Sequence, residues 1–147
     1  MSKPISFWVP GIPAPGGSKK FVGLSKFTNR AILIDAGGKR NKDWRAAVAE
    51  AARVAYRGEP MDCLLQMKIT FYLPRPKRHY DRLGLRENAP VWHSIKPDTT
   101  KLVRSTEDAM TGIVYRDDAC IVCQQASKRY IEEGTHPGAM ITIQVML

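Results

Sequence analysis

One amphipathic segment, residues 39–58, constrains the fold of this chain more than any other. It reads KRNKDWRAAVAEAARVAYRG, and its apolar side chains recur every three or four residues, as on one face of a helix: Trp44, Ala47, Val48, Ala51 and Ala55. Alanine has the highest helix propensity, and Gly58 is typical of the residue at which a helix stops. The segment therefore predicts a helix that packs its apolar face against another layer of the fold.

Short apolar runs on both sides of this helix favour β-strands. Residues 5–9 read ISFWV and precede a Pro-Gly pair, while residues 31–34 read AILI and precede a pair of glycines. Residues 64–73, LLQMKITFYL, alternate between apolar and polar side chains and end at a proline. Two further strands are predicted over residues 120–131 and 139–146, on either side of a turn-rich segment.

Acidic residues gather in one segment, residues 96–118, which reads KPDTTKLVRSTEDAMTGIVYRDD. At about 100° per residue, its apolar positions form one side of a second helix that begins close to Asp98 and ends near Gly112: Leu102, Thr106, Ala109, Met110 and Ile113. The polar side of this helix carries Asp98, Lys101, Arg104, Ser105 and Asp108. The predicted fold is therefore α/β (α+β), a single domain over residues 1–147 with a small mixed sheet and two main helices.

Basic residues exceed acidic residues over the chain as a whole. There are 23 Lys and Arg against 14 Asp and Glu, which gives a formal net charge of +9 and a pI near 9.7. Such a charge favours a nucleic-acid partner, because each neutralised phosphate releases condensed counterions. A ribosomal protein, or an adaptor for an acidic partner, would carry the same charge.

Two segments concentrate this positive charge outside the predicted helices and strands. Residues 12–23 are rich in Pro, Gly and Lys and are predicted to form a loop that carries Lys19 and Lys20. Residues 74–97 have no sustained periodicity, and a loop of that length inside a domain is usually functional or disordered. Tyr80 and Trp92 in the second segment suit stacking against nucleic-acid bases.

Three sequence features bear on the cellular compartment and on membrane association: apolar runs, the N-terminal pattern and the number of cysteines. No apolar run approaches the ~20 residues that a membrane-spanning helix needs, and the N-terminus does not have the pattern of a signal peptide. Three cysteines are an odd number, which argues against a secreted disulfide framework. We therefore expect a cytoplasmic protein that has no membrane partner.

Two interpretations of the acidic segment stay open on spacing alone. In the first, Asp98 caps its helix, and Arg104 and Asp108 form an exposed i,i+4 pair worth about 0.3 kcal/mol. In the second, the adjacent carboxylates of Asp117 and Asp118 are bridged by a cation that Asp98 also helps to bind. Carboxylates together with phosphate oxygens are the ligands that Mg²⁺ prefers, and nearby Lys and Arg would then hold the phosphates.

The acidic segment also resembles the signature of the RusA family of Holliday junction resolvases. Lys96-Pro97-Asp98, Leu102, residues 108–112 (DAMTG) and residues 117–119 (DDA) follow approximately KPDxDNLxKxxxDALTG and then DDxQ ahead of a strand. Residues 11–15 (GIPAP), followed by residues 17–20 (GSKK), resemble the opening of the phage-type members, and Lys128 and Arg129 in residues 127–130 (SKRY) are similar to the family as well. The resemblance implies a homodimeric, Mg²⁺-dependent endodeoxyribonuclease of mixed α/β fold, acting in DNA recombination and repair. Such an enzyme cuts paired strands of four-way DNA junctions in the cytoplasm of a bacterium or a phage-infected host.

Carried over residue by residue, the resemblance implies the following roles. The catalytic residues would be Asp98, Asp118 and Arg104, and the positive charge of Lys101 makes it a further candidate for neutralising the phosphate. The ligands of Mg²⁺, or of Mn²⁺ in its place, would be Asp98, Asp108, Asp117 and Asp118. Separately from the resemblance, the positive charge of the chain predicts these contacts to the DNA backbone: Lys19, Lys20, Arg75, Lys77, Arg78, Lys96 and Lys128.

The chain departs from the family signature at three positions. Thr100 stands at the second aspartate of the motif, Lys101 at the asparagine and Arg104 at the lysine. Losing a carboxylate removes one hard ligand, and arginine lacks the compact geometry of lysine and its readiness to lose a proton. The alternatives are therefore a catalytically weakened junction- or DNA-binding protein of the same fold and an RNA-binding protein.

Overall fold

The fold, described by a computed structural model for residues 3–16, 19–35 and 38–147, combines a small mixed sheet with two helices, as the sequence predicts. For residues 19–22 and 32–35 only the backbone is described. The strands are β1 (Ile5–Pro10), β2 (Lys19–Leu24), β3 (Ala31–Asp35), β4 (Leu65–Leu73), β5 (Tyr80–Asp81), β6 (Gly84–Leu85), β7 (Ile121–Tyr130) and β8 (Gly138–Val145). The helices are α1 (Gly38–Ala55) and α2 (Thr99–Met110).

The main sheet has the strand order β1-β8-β4-β7. β8 pairs antiparallel with both β1 and β4, whereas β7 pairs parallel with β4. On β4 the alternation in the sequence becomes a buried row of Leu65, Met67, Ile69, Phe71 and Leu73. This row forms the centre of the hydrophobic core.

The two helices pack against each other, and α1 also packs against β1. Trp44 and Val48 of α1 and Leu102 and Met110 of α2 are fully buried. The indole Nε1 of Trp44 donates a hydrogen bond of 3.1 Å to the hydroxyl of Thr106, which joins the helices inside the core. In the described ranges, neither helix has the length and apolar character needed to cross a membrane.

The Pro-, Gly- and Lys-rich segment is only partly a loop, which corrects the prediction for residues 12–23. From Lys19 onward it forms β2, which pairs antiparallel with β3 and has a register shift between Phe21 and Gly23. The AILI run of β3 supplies a partner for its backbone amides and carbonyls, so pairing outweighs the local composition. Lys19 and Lys20 begin this strand, and their side chains lie outside the described residues.

The segment at residues 74–97 has structure of its own. It contains a 3₁₀ turn over Lys77–His79 and the β5–β6 hairpin. Its last part runs beside β7, where the His93 amide donates to the Lys128 carbonyl at 3.3 Å and the Tyr130 amide donates to the Val91 carbonyl at 2.9 Å. These bonds fix the chain just before it enters α2.

Candidate functional site

Helix α2 runs alongside β7 in the opposite direction, and the contacts at its two ends show this. At the N-terminal end, Lys128 Nζ donates hydrogen bonds to the carbonyl of Pro97, at 2.7 Å, and to the carbonyl of Ile95. Toward the C-terminal end, the carboxylate of Glu107 accepts a hydrogen bond from the side-chain amide of Gln124. The two ends of α2 therefore lie beside different parts of β7.

Four carboxylates form an acidic cluster where α2 ends and β7 begins: Glu107, Asp108, Asp117 and Asp118. The negative charges of Asp118 and Asp108 act on Glu107, and those of Asp117 and Asp108 act on Asp118. A 3₁₀ turn over Asp118–Cys120 presents the aspartate pair, and Asp117 Oδ1 accepts a hydrogen bond of 2.9 Å from the Ala119 amide. The structure thus places Asp108 and Asp118, two of the predicted site residues, near Glu107, and it places a third, Asp117, beside Asp118.

Burial, hydrogen bonds and neighbouring charges shift the pKa values of three carboxyl groups in this cluster. Burial raises the pKa of Glu107 from 4.5 to about 7, and the charges of Asp118 and Asp108 add to the shift. The pKa of Asp118 is raised, first by its hydrogen bond with Asp117 and then by burial. The hydrogen bond from the Ala119 amide lowers the pKa of Asp117. Near neutral pH the cluster therefore retains a proton that a bound cation would displace.

Glu107 was missing from the site that the sequence predicts. Its carboxyl is half-buried beside Gln124, and the Tyr115 hydroxyl donates a hydrogen bond of 2.8 Å to its backbone carbonyl. Burial raises the pKa of this tyrosine well above its ordinary value, so its hydroxyl stays a donor. The predicted polar side of α2 does not include Glu107, because this residue lies at a different angle around the helix axis. The acidic pair Glu107-Asp108, ahead of the pair Asp117-Asp118, was the signal available in the sequence.

Asp98 lies at the opposite end of α2 from this cluster. It is exposed and precedes the first helical residue, ten positions before Asp108, which corresponds to about 15 Å of helical rise. Its charge is not among those that shift the pKa of Glu107 or Asp118. The structure therefore does not bring Asp98 and Asp118 together, because α2 lies between them as a rigid spacer. The carboxylate of Asp98 also makes no capping hydrogen bond to the amides of α2, all of whose residues are described.

The donor chemistry of the acidic cluster fits a divalent cation. Hard carboxylate oxygens are the ligands of Mg²⁺, and the negative charges of Asp108 and Asp118 near Glu107 would be partly neutralised by such an ion. Within the described ranges, no three His, Cys, Asp or Glu side chains are already grouped to hold an ion. Asp108, Asp117 and Asp118 are exposed, so their side chains have room to turn toward a shared ion.

Cationic side chains lie at both ends of α2. Arg104 is exposed, and its charge lowers the pKa of Glu107, so it lies near the acidic cluster. Lys101 is exposed near the other end, where it lines a cavity together with Lys96. Both lysines therefore add positive charge at the N-terminal end of α2.

The remaining predicted backbone contacts fall into two groups. Lys77 and Arg78 are exposed on the 3₁₀ turn, as a contact to DNA requires. Arg75 is instead directed inward, where Nε donates to the Ile131 carbonyl at 2.8 Å and Nη1 donates to the Pro90 carbonyl at 2.7 Å. Lys128 is likewise engaged with backbone carbonyls. Arg75 and Lys128 thus have structural partners that the sequence did not indicate.

Buried Ser105 corrects a further prediction from the helical projection. It was placed on the polar side of α2, but only 1% of the residue is exposed. Its hydroxyl donates to the Ala14 carbonyl at 2.6 Å, because the loop after β1 packs against this part of the helix. On the predicted polar side of α2, Lys101, Arg104 and Asp108 are therefore exposed, whereas Ser105 is covered by the loop after β1.

Comparison with known proteins places this architecture in a family. The sequence profile described as Endodeoxyribonuclease RusA matches residues 24–144 of the chain. The chain belongs to the RusA endodeoxyribonuclease family. This confirms the family that the signature in residues 96–118 predicted, and the mixed fold agrees with it. The family is one of endonucleases that resolve Holliday junctions.

One curated relative is similar over part of the chain. The Uncharacterized protein YqaN of Bacillus subtilis (strain 168) is 31% identical over 72 residues, which cover 47% of this chain and 51% of that protein. The chain thus spans about half the length of the curated relative that it matches. This relative adds no residue role to the family assignment.

Proposed function

We propose that this protein is a Mg²⁺-dependent, structure-selective endodeoxyribonuclease that resolves four-way DNA junctions by paired symmetric nicks. The observation that carries the proposal is that Asp108 and Asp118 lie near half-buried Glu107, with Asp117 beside Asp118, in a chain of the RusA family with a net charge of +9. In a basic protein, such a concentration of negative charge is costly unless a cation binds there. The protein would act in recombination and repair, in the cytoplasm of a bacterium or a phage-infected host.

The acidic cluster would hold the metal ion. Asp118, Asp108 and Asp117 would supply ligands, and Glu107 would join them after losing its proton. A bound Mg²⁺, or Mn²⁺ in its place, supplies a water of lowered pKa and polarises phosphoryl oxygens. Gln124 orients the Glu107 carboxylate through its hydrogen bond, and Arg104 would neutralise charge on the phosphate.

Basic residues along α2 would guide the scissile strand to that cluster. A DNA strand carries one phosphate per about 3.4 Å of helix axis, so the ~15 Å between the two ends of α2 spans several phosphates. Lys96 and Lys101 would hold the strand at the N-terminal end, and Arg104 would hold it near the cluster. Asp98 would lie beside the bound strand at the Lys101 end of α2, about 15 Å of helical rise from the acidic cluster.

Paired nicks require two active sites in one particle. A homodimer with two-fold symmetry supplies them, because each protomer presents the same surface to one of two equivalent strands. Lys77 and Arg78, exposed outside α2, would widen the contact with the arms of the junction. Lys19 and Lys20 are proposed for the same role.

A cleavage assay on a synthetic four-way junction tests the proposal. With each strand labelled in turn, wild-type protein should make symmetric nicks in Mg²⁺ and none in EDTA. Asp118→Asn should reduce the rate by about 100-fold or more while junction binding persists. Asp81→Asn is a matched control, because Asp81 lies in the β5–β6 hairpin and the amide oxygen of asparagine can still accept the hydrogen bond from Leu83. If Asp118→Asn cuts as fast as Asp81→Asn, the proposed role of the acidic cluster is wrong.

The second candidate is a catalytically weakened protein that binds branched DNA. Thr100, standing at a metal-binding aspartate of the signature, favours it. Junction binding without nicking in either Mg²⁺ or Mn²⁺ would support this candidate. Equal affinity for junction, duplex and RNA at physiological salt would instead indicate an RNA-binding protein, for which charge suffices.

A further inference from the structure

A cavity of about 810 Å³ opens beside the N-terminal end of α2. It lies between the loop that follows β1, the first half of α1 and the segment that enters α2. Its apolar wall includes Ile12, Pro13, Trp44, Ala47 and Leu73. A cavity of this volume is within the range of sites that enclose one small molecule or one residue of a polymer.

The walls of the cavity are held in place by hydrogen bonds between distant parts of the chain. The Gly16 amide donates to the Lys101 carbonyl at 3.1 Å, and the Ser105 hydroxyl donates to the Ala14 carbonyl at 2.6 Å. A Cβ at Gly16 would lie only 2.8 Å from Ser105 Cβ, so this close approach requires glycine. Lys128 holds Pro97 on the opposite side. The cavity is therefore part of the folded architecture rather than a gap beside a loose loop.

Charged side chains of both signs line the same cavity. Arg40, Lys96 and Lys101 supply donors, and Asp43 and Asp98 supply acceptors. All five residues are exposed, so their charged groups can meet a ligand at the mouth. On α1, Arg40, Asp43 and Ala47 recur every three or four residues, which places them on the same side of the helix.

This combination of groups selects a chemical class of ligand. A free phosphate would need donors only, and an apolar ligand would need neither charge. A nucleotide has a flat apolar base, donors and acceptors along the edge of that base, and a phosphate outside it. Its base matches the apolar wall, the base edge matches Asp43, and its phosphate matches Arg40, Lys96 and Lys101.

We propose that this cavity receives one unpaired nucleotide of the branched DNA. The proposal rests on the proposed function, and it adds a site for the substrate distinct from the acidic cluster. Extruding a base costs a few kcal/mol, and the cost is least where pairing and stacking are already interrupted, as at a branch point. The strand that leaves the cavity at Lys101 would continue along α2 toward Arg104 and the cluster.

Fluorescence of 2-aminopurine, which rises when the base leaves the stack, tests this directly. The base analogue is placed at each nucleotide that flanks the branch point of a synthetic junction, and protein is added in EDTA so that no strand is cut. Wild-type protein should raise the fluorescence severalfold at one such position and leave positions within the arms unchanged. Ala47→Phe, which fills the cavity from α1, should bind the junction but abolish this rise.

A milder pair of variants keeps the test valid if Ala47→Phe does not fold. Arg40→Gln should reduce the extruded fraction about tenfold, which corresponds to about 1.4 kcal/mol. Arg45→Gln is the matched control, because it removes an exposed arginine of α1 that does not line the cavity. Equal rises for wild type, Arg40→Gln and folded Ala47→Phe would overturn the proposal.

The outcome separates this proposal from the nuclease assignment. Junction cleavage in Mg²⁺ without a rise at any branch-flanking position would overturn the nucleotide cavity and leave the nuclease standing. A rise in EDTA from a protein that does not cut in Mg²⁺ would support the cavity and overturn the nuclease. Failure to bind the junction would overturn both proposals.

Discussion

Glu107 on α2 accepts a hydrogen bond from the side-chain amide of Gln124 on β7. This contact joins the helix to the edge strand at the place where the acidic cluster forms. The Glu107 carboxyl is held half-buried next to the charges of Asp108 and Asp118, and its pKa rises to about 7. The ionised Glu107 carboxylate therefore destabilises the metal-free folded protein at alkaline pH.

Replacing Glu107 with glutamine should stabilise the metal-free protein more at pH 8 than at pH 5. The pKa of Glu107 rises from 4.5 to about 7 on folding, so the folded protein binds this proton more tightly than the unfolded chain. Its stabilisation is complete below about pH 4 and is lost as the pH rises through 7. Thermal denaturation in EDTA at both pH values checks this. Glu50→Gln, on the exposed face of α1, is the control, and equal effects of Glu107→Gln at pH 5 and pH 8 would contradict the assignment.

Mg²⁺ should raise the melting temperature of the wild-type protein at pH 8. An ion that binds only the folded state adds about 1.4 kcal/mol at ten times its Kd. Asp118→Asn should lose most of this gain because it removes a ligand of the proposed site, whereas Asp81→Asn should retain it. A full Mg²⁺ response in Asp118→Asn would place the ion elsewhere.

Replacing Lys128 with methionine should lower the free energy of unfolding by about 2 kcal/mol, because the carbonyls of Ile95 and Pro97 lose a charged donor. Urea denaturation measures this, and Lys68→Met, which changes an exposed lysine on β4, should have little effect. If Lys128 instead contacts DNA directly, stability would be unchanged and binding would lose about one unit of salt slope. Lys77→Met should leave the free energy of unfolding unchanged and lower the salt dependence of DNA binding by about one unit of slope.

The hydrogen bond between Trp44 and Thr106 should contribute more to the free energy of unfolding than the packing of the threonine methyl group. Thr106→Val keeps the side-chain volume but leaves the buried indole N–H without its acceptor, at a cost of about 1–3 kcal/mol. Thr106→Ser keeps the hydroxyl and should cost less than the valine variant. Denaturant titrations of both variants test the order, and a larger loss for serine would show that packing of the methyl group dominates.

Local periodicity predicted the elements that bury one face. Helix α1, strand β4 and the apolar side of α2 were predicted because burial of one face imposes a period of 3.6 or 2 on the sequence. The family signature supplied Asp108, Asp117 and Asp118, which the fold brings together. Periodicity carries no information on which elements become neighbours.

What the sequence could not predict depends on contacts between distant segments. β2 exists because β3 pairs with it, and Ser105 is buried because the loop after β1 packs on α2. Glu107 becomes part of the acidic cluster through Gln124, which is 17 positions away in the chain. Asp98 was expected to share a cation with Asp118 because both match acidic positions of the family signature, although the helix predicted from Asp98 to near Gly112 already separated them.

Location of a bound Mn²⁺ ion by its anomalous scattering, in crystals grown at pH 8, tests the central claim most directly. The acidic cluster should hold the ion, with carboxylate oxygens of Asp118 and Asp108 as ligands at about 2.1–2.2 Å. Occupancy should fall in crystals of Asp118→Asn and persist in those of Asp81→Asn. An ion bound at Asp98 alone, or no ion at the acidic cluster in saturating Mn²⁺, would contradict the account.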